Sequence, residues 1–321
     1  MADRLRIGVA GLGVAGRAFL PAILSHVRFE LAGVCDPRDD TLASVPDGVH
    51  RYRTVEEMCA DSRIEVVYVA TPTELHADHA VLALSSGMHA IVEKPIALAL
   101  HEAEDMVASA EGHRAALVVG HTQAFEPGVR EIRSLVEAGE VGAVRSVSMW
   151  HHTDWACRRA RAEHENVVLR QGAHQIDVIR ETAGAVVDAV RARVYDTGFS
   201  AFLDLAQGVP ATVVYRGDGH LVDQEGDQAL APAFGHTVVS CDHADLELSA
   251  AGLVLHRGGR PHLVPIDRWP DGRTAVLDEM WEAVFHEAPP HHDGQWGKDT
   301  LAACLAIIES AERGVEVEVR G

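Results

Sequence analysis

The feature that most constrains this chain is a glycine-rich turn near its amino terminus, GLGVAG at residues 11–16. An apolar run precedes the turn and a helix-like segment (residues 14–24) follows it. A second apolar run (residues 29–35) then ends at Asp36, 20 residues after the last glycine. This order predicts a strand, a tight turn, a helix and a second strand, the arrangement in which a parallel sheet binds a dinucleotide.

Each part of the turn has a physical role in binding a dinucleotide. Gly11 permits the tight turn, Gly13 lets the backbone approach a pyrophosphate, and Gly16 lets the helix pack closely on the strand. The first N–H groups of a helix have no partners within it, so they can donate to the phosphates. We therefore expect the pyrophosphate to contact Gly11, Gly13, Val14, Ala15 and Gly16.

Asp36 bears on the choice between NAD and NADP. Its carboxylate is expected to accept hydrogen bonds from both hydroxyls of the adenosine ribose, and it would repel a 2′-phosphate. The sequence therefore favours NAD over NADP. Arg38 is also a cofactor-binding candidate, as a partner for such a phosphate; the alternative is a solvated loop residue.

Composition restricts the classes of partner. The chain has 321 residues, enough for two domains, and 48 acidic against 28 basic residues give a formal net charge of −20. This balance argues against binding of nucleic acid or of an anionic membrane surface, but it allows an anionic small molecule. Scattered cysteines without a CxxC pair, no signal-like segment and no apolar run of about 18 residues predict a cytoplasmic protein with reduced thiols.

Strand-like and helix-like segments alternate up to residue 120 and then change pattern. Alternation predicts a doubly wound parallel sheet, a Rossmann domain over residues 1–121. Later strand-like runs follow one another with few helices, which predicts an α+β domain over residues 122–321 with a mainly antiparallel sheet. These runs are residues 144–150, 189–195, 201–206, 211–215, 237–240 and 246–255. Helices are predicted over residues 126–138, 172–182, 274–286 and 298–313, and a long loop over residues 217–235.

Lys94 is the first candidate for chemistry. With Glu93 and Pro95 it ends the predicted fourth strand, at the edge where α/β sheets place ligands. Pro95 biases Lys94 toward extended backbone and so fixes its direction. A nearby oxidised nicotinamide would disfavour the ammonium form and shift the lysine pKa toward a value suited to moving a hydroxyl proton. The alternative is a surface lysine paired with Glu93.

Five motifs of this chain occur in the same order in the Gfo/Idh/MocA oxidoreductases: the glycine turn (residues 11–16), TPTELH (71–76), EKP (93–95), AGEVG (138–142) and GAHQID (172–177). The chain resembles that family along its whole length. The resemblance implies a Rossmann domain and an open-faced α/β domain whose sheet forms a homodimer or homotetramer. It also implies hydride transfer between NAD(P) and a secondary alcohol or its ketone. By the same resemblance the catalytic residues are Lys94 and His174, and Thr71, Pro72 and His76 lie near the nicotinamide ribose. Glu93 and Lys94 are further cofactor-binding candidates.

One position departs from the family pattern. Many members carry an aspartate four residues before the histidine, where this chain has Arg170. An arginine cannot act as a base at working pH, but it binds carboxylates in a bidentate manner. Arg170 therefore favours an anionic substrate; the alternative is an internal ion pair with a carboxylate such as Asp177. His76 and His79 share a predicted helix face without an evident third ligand, so no metal site is expected.

Residues 170–180, 211–220 and 292–298 further resemble the phthalate 4,5-cis-dihydrodiol dehydrogenase-like branch of the family. Such an enzyme oxidises a cis-diol on a cyclohexadiene dicarboxylate to a catechol, and aromatisation drives the reaction. The carboxylates would need cations such as Arg158, Arg159 or Arg170. His151 and His152 could line the substrate pocket or be exposed strand-end histidines. The alternatives are a sugar or inositol dehydrogenase, a hydrolase or lyase that recycles bound NAD, and a non-catalytic NAD-binding sensor.

Overall fold

The computed structural model describes residues 4–43, 45–153, 166–217, 235–249, 251–286 and 288–321. The chain divides into two compact units. The first consists of Met1–Thr122 and Arg273–Leu301, and the second of Gln123–Gly272 and Ala302–Gly321. Among the helices in these described ranges, none is both long and apolar enough to cross a membrane.

The first unit contains a parallel sheet, as the alternating pattern predicts. Six strands are described in it, in the spatial order β3-β2-β1-β4-β5-β6, and all pairs are parallel. The strands are β1 (Leu5–Ala10), β2 (Phe29–Cys35), β3 (His50–Tyr52), β4 (Val66–Val69), β5 (His89–Glu93) and β6 (Leu117–Gly120). The connecting helices are α1 (Val14–Ser25), α2 (Asp39–Ala43), α3 (Val55–Cys59), α4 (His76–Ser85) and α5 (Leu100–His113). The strand order reverses between β1 and β4, and ligands bind at such a switch point in open α/β sheets.

The second unit contains the mainly antiparallel sheet that the sequence predicts. Its described strands have the order β14-β13-β12-β11-β7-β10-β9-β8-β15, and only the β7–β10 pair is parallel. The strands are β7 (Val144–His152), β8 (Val187–Tyr195), β9 (Gly198–Leu205), β10 (Val209–Arg216), β11 (His236–Cys241), β12 (Asp245–Ser249), β13 (Gly252–Arg257), β14 (Arg260–Val264) and β15 (Val317–Glu318). Helices α6 (Pro127–Glu137) and α7 (Ala173–Ala183) contact each other and the sheet.

The two faces of this second sheet differ in burial. Along β7, Val147 and Met149 are buried in the core, whereas Trp150 is 60% exposed. The same alternation on β9 buries Leu203 and leaves Phe202 46% exposed. One face therefore carries the core of the unit, and the other face is open in the single chain.

Some elements differ from the sequence predictions. Strands β3 and β14 were not predicted, because neither carries the apolar run that marks a buried strand. The run at residues 246–255 is two strands, because Gly252 adopts a φ of +105° and starts β13 after a turn.

The chain also returns to the first unit after residue 272, whereas the predicted division placed residues 122–321 together. The returning segment contains α8 (Gly272–Phe285) and the start of α9 (Gly294–Arg313). The backbone N–H of Val119 donates to the carbonyl of His292 at 2.8 Å. A Cβ on Gly297 would lie 2.6 Å from the Val119 side chain, so glycine lets α9 approach β6. These contacts join residues distant in sequence, so no local sequence pattern predicts them.

Candidate functional site

The glycine turn of the first unit has the shape that a pyrophosphate needs. A Cβ on Gly11 would overlap the backbone of Ala70, and a Cβ on Gly16 would overlap the backbone carbonyl of Gly11. By contrast, a Cβ on Gly13 would meet nothing within 4 Å. Gly13 also caps α1, and as a glycine it has no side chain to accept the first N–H groups of that helix. The turn therefore leaves room and backbone donors for phosphates, so these residues fit a dinucleotide.

Asp36 lies at the end of β2, beside this turn. Its carboxylate accepts hydrogen bonds from the backbone N–H of Leu12 and from both the backbone and the guanidinium of Arg38. Burial would raise the pKa of Asp36, but these hydrogen bonds outweigh burial and hold the pKa below its usual value. Arg38 lies in the loop after β2 with its side chain 55% exposed, as the solvated alternative expects, and its guanidinium also pairs with Asp36.

His76 joins the two loops that follow β4 and β5. Its Nδ1 lies 3.0 Å from the carbonyl oxygen of Pro95, and its Nε2 lies 2.9 Å from that of Thr71. Burial lowers the pKa of His76, although the two carbonyl oxygens act in the opposite direction. The ring is therefore directed at the protein backbone and holds the Thr71 and Pro95 loops in place. Thr71 also contacts His79 through its hydroxyl, at 3.0 Å.

Glu93 anchors the other side of Lys94. Its carboxylate is buried and accepts a hydrogen bond from the hydroxyl of Tyr68, and its second oxygen accepts the backbone N–H of Lys94 at 3.2 Å. Burial, followed by the charge of Glu93, raises the pKa of Tyr68. The sequence missed Tyr68 because it lies inside an apolar strand. Lys94 itself is half-buried, and its backbone is held between Glu93 and the Pro95 carbonyl that contacts His76.

In the second unit, Arg170 and His174 lie at the start of α7. Arg170 belongs to a wide turn of π-helix, Val168–Gly172, and His174 is the second residue of the α-helix that follows. A Cβ on Gly172 would lie 3.1 Å from Val168 and 3.3 Å from Phe199, so glycine allows this turn to pack closely. Both Arg170 and His174 are half-buried.

Two side-chain hydrogen bonds lie in the second unit, and one of them involves Gln175, the residue after His174. The side-chain amide of Gln175 contacts Nδ1 of His151 at 2.8 Å, and Tyr215 contacts Thr153 through their hydroxyls at 2.7 Å. The rings of His151 and Tyr215 meet edge to face. Burial, followed by the charge of His152, lowers the pKa of His151 to about 4. The interpretation as an exposed strand-end histidine is therefore wrong for His151, because strand alternation puts it on the core face; His152 is half-buried.

Asp177 and Arg180 are fully buried in α7 near Cys304. Burial raises the pKa of the Cys304 thiol to about 12, Arg180 acts to lower it and Asp177 acts to raise it. The thiol is therefore not a nucleophile at neutral pH. The substrate candidates Arg158 and Arg159, the last residues of the 211–220 motif and most of the predicted 217–235 loop lie outside the described residues.

Comparisons with known proteins agree with this geometry. An oxidoreductase family model described as an NAD-binding Rossmann fold, Gfo/Idh/MocA, matches residues 5–121, and a C-terminal domain model of the same family matches residues 129–218. The 1-carboxy-3-chloro-3,4-dihydroxycyclohexa-1,5-diene dehydrogenase of Comamonas testosteroni is 30% identical over 96% of this chain and 95% of its own. The chain belongs to the Gfo/Idh/MocA oxidoreductase family.

Solved structures of similar fold cover almost the whole chain. A Bordetella bronchiseptica protein described as a dehydrogenase superimposes with a TM-score of 0.89 at 29% identity, over 98% of this chain and 100% of that one. The WlbA dehydrogenase of Bordetella pertussis, solved with NADH and UDP-GlcNAcA, gives a TM-score of 0.85 at 20% identity, over 100% and 99% of the two chains. The first unit of this Gfo/Idh/MocA member is thus an NAD-binding Rossmann domain, and the protein is a dehydrogenase or reductase acting on CH–OH groups.

Proposed function

We propose that the protein oxidises a cyclic cis-diol that carries a carboxylate, such as the cis-dihydrodiol of phthalate, to the corresponding catechol. The observation that carries this proposal is the full-length similarity to a dehydrogenase whose name describes a carboxylated dihydroxycyclohexadiene. Arg170 supports it, because a half-buried guanidinium at the start of α7 suits an anionic substrate.

In this proposal, Lys94 removes the proton of the reacting hydroxyl. Bound NAD supplies the hydride acceptor. Glu93 and the His76–Pro95 contact fix the Lys94 backbone at the end of β5, so its side chain is directed by a rigid strand end. His174, the second catalytic residue that the family resemblance implies, is proposed to hydrogen-bond to the substrate and position it.

Arg170 binds the substrate carboxylate in a bidentate manner in this proposal. The position differs from the aspartate that many relatives carry, so the proton goes to Lys94 without a carboxylate relay. His152, half-buried at the end of β7, and Arg158 are the further proposed substrate contacts.

The proposal is tested by mixing the purified protein with NAD and the cis-4,5-dihydrodiol of phthalate, with inositol as the control substrate, and following nicotinamide absorbance. We expect rapid reduction of NAD with the dihydrodiol alone. Arg170→Gln should raise KM for the dihydrodiol about 10- to 100-fold, the worth of a charge-assisted hydrogen bond, with a smaller change in kcat. Reduction with inositol and none with the dihydrodiol would contradict the proposal.

We also propose that the protein is a cytoplasmic homodimer or homotetramer assembled through the open face of the second sheet. That face exposes the large apolar side chains of Trp150 and Phe202, and such patches favour association. Trp150→Glu should lower the molar mass measured in solution by light scattering, and an unchanged mass would contradict this interface.

A further inference from the structure

The Asp36 carboxylate, where an NAD ribose is expected, is fully used as an acceptor within the described residues. Its Oδ1 accepts from the backbone N–H of Arg38 at 3.0 Å and from Arg38 Nε at 2.9 Å. Its Oδ2 accepts from the backbone N–H of Leu12 and from a terminal guanidinium nitrogen of Arg38, both at 3.0 Å. A carboxylate has about four acceptor positions. A ribose diol can therefore bind Asp36 only when one of these donors leaves.

The donors differ in how readily they can leave. The backbone N–H groups of Leu12 and Arg38 are held by the glycine turn and by the segment that follows β2. The guanidinium belongs to a side chain that is 55% exposed, whereas the Asp36 side chain is 4% exposed. Water and salt weaken an ion pair whose cation is exposed. The guanidinium of Arg38 is thus the donor that ribose hydroxyls would replace.

We propose that Arg38 determines the nucleotide preference of this site, and that the protein binds NADP as well as NAD. When NAD binds, the guanidinium leaves Asp36 and the two ribose hydroxyls donate to the carboxylate instead. When NADP binds, the guanidinium binds the 2′-phosphate, which suits its planar fork as well as a carboxylate does. Arg38 therefore weakens NAD binding by competition and strengthens NADP binding by direct contact.

Neighbouring charges indicate that NAD stays the tighter ligand. Asp39 and Asp40 begin α2 directly after Arg38, and Asp39 pairs with Arg53. With Asp36, these carboxylates repel a 2′-phosphate, so Arg38 offsets only part of the repulsion. The inference concerns the cofactor alone and does not depend on the proposed substrate.

Calorimetric titration of the intact protein with NAD and with NADP tests the inference without any turnover, since the two probes differ only in the 2′-phosphate. Arg38→Ala should tighten NAD binding about 2- to 5-fold, because it removes an exposed ion pair, and should weaken NADP binding about tenfold or more. The ratio of the two affinities should therefore change more than tenfold. Arg38→Lys, which keeps the charge but not the fork, should give an intermediate ratio.

Arg53→Ala is the matched control, because it removes the same charge at the same edge without touching Asp36. Its affinity ratio should change less than about threefold, as expected for an exposed charge. A wild-type protein that binds no NADP would overturn the inference. So would a change of less than tenfold in the ratio for Arg38→Ala, or one no larger than that of Arg53→Ala.

Discussion

Two parts of the molecule are built in different ways: the glycine turn with Asp36 in the first unit, and the start of α7 in the second unit. The first is made of backbone groups and one carboxylate between residues 11 and 36. The second depends on side-chain pairs that join elements distant in sequence: Gln175 of α7 and His151 of β7 are 24 residues apart, and Tyr215 and Thr153 are 62 apart. A site made from turn geometry can be recognised in a local sequence, whereas a site made from strand register cannot.

Removing the Lys94 amine should have the largest effect. Lys94→Ala should lower turnover about 10²- to 10⁴-fold, the usual worth of a general base, and leave NAD binding nearly unchanged. Steady-state kinetics with a calorimetric measurement of NAD affinity checks both parts. The sequence contains only one other lysine, Lys298, which pairs with Glu104. Lys298→Ala is the control and should retain turnover; equal losses in the two variants would contradict a role for Lys94.

Lowering the pH should reduce the free energy of unfolding, because His151 in the second unit is buried as a neutral ring. Because the pKa of His151 is about 4 in the fold and about 6.5 when unfolded, the unfolded chain binds the extra proton first. The stability that His151 contributes is complete above about pH 6.5 and is lost as the pH falls toward 4, by about 3 kcal/mol in all.

The measurement compares the free energy of unfolding of the wild type and His151→Gln between pH 7 and pH 4.5. The variant cannot take up this proton, so the difference between the two proteins should shrink as the pH falls. Other buried histidines, such as His76 and His89, titrate in both proteins and cancel in the difference. Parallel curves would show that His151 is not held neutral.

The smallest effect is expected from the glycine turn, where two substitutions separate binding from folding. Gly13→Ala should weaken NAD binding about tenfold or more, because its Cβ occupies space reserved for the pyrophosphate, and should leave the melting temperature unchanged. Gly16→Ala should lower the melting temperature, because its Cβ would overlap the Gly11 carbonyl. Calorimetry and thermal melts distinguish them; a destabilised Gly13→Ala with unaltered NAD affinity would contradict this division of roles.

The sequence predicted most of the first unit because local signals specify it. The glycine turn and Asp36 predicted β1, α1 and β2, and the structure confirms the parallel sheet around them. It did not predict the partner of Glu93, because Tyr68 inside an apolar strand has the appearance of a core residue. It also did not predict that residues 273–301 return to the first unit, since that placement depends on long-range packing.

In the second unit the sequence predicted the kind of sheet but not its side-chain pairs. The sequence allowed His151 either to line the substrate pocket or to be an exposed strand-end residue, and its register puts it on the same buried face as Val147 and Met149. Only the parallel pairing of β7 with β10 brings His151 beside Tyr215, and that pairing joins strands separated by α7 and two further strands. Register of this kind is a tertiary property.

In the proposed reaction the protein catalyses net oxidation of a carboxylated cis-diol by NAD. Its most direct test is the stoichiometry of one reaction with the phthalate dihydrodiol, with NADH measured by absorbance and catechol measured by chromatography. We expect one NADH for each catechol formed. Product that accumulates without NADH, as in an enzyme that recycles its bound cofactor, would contradict the claim.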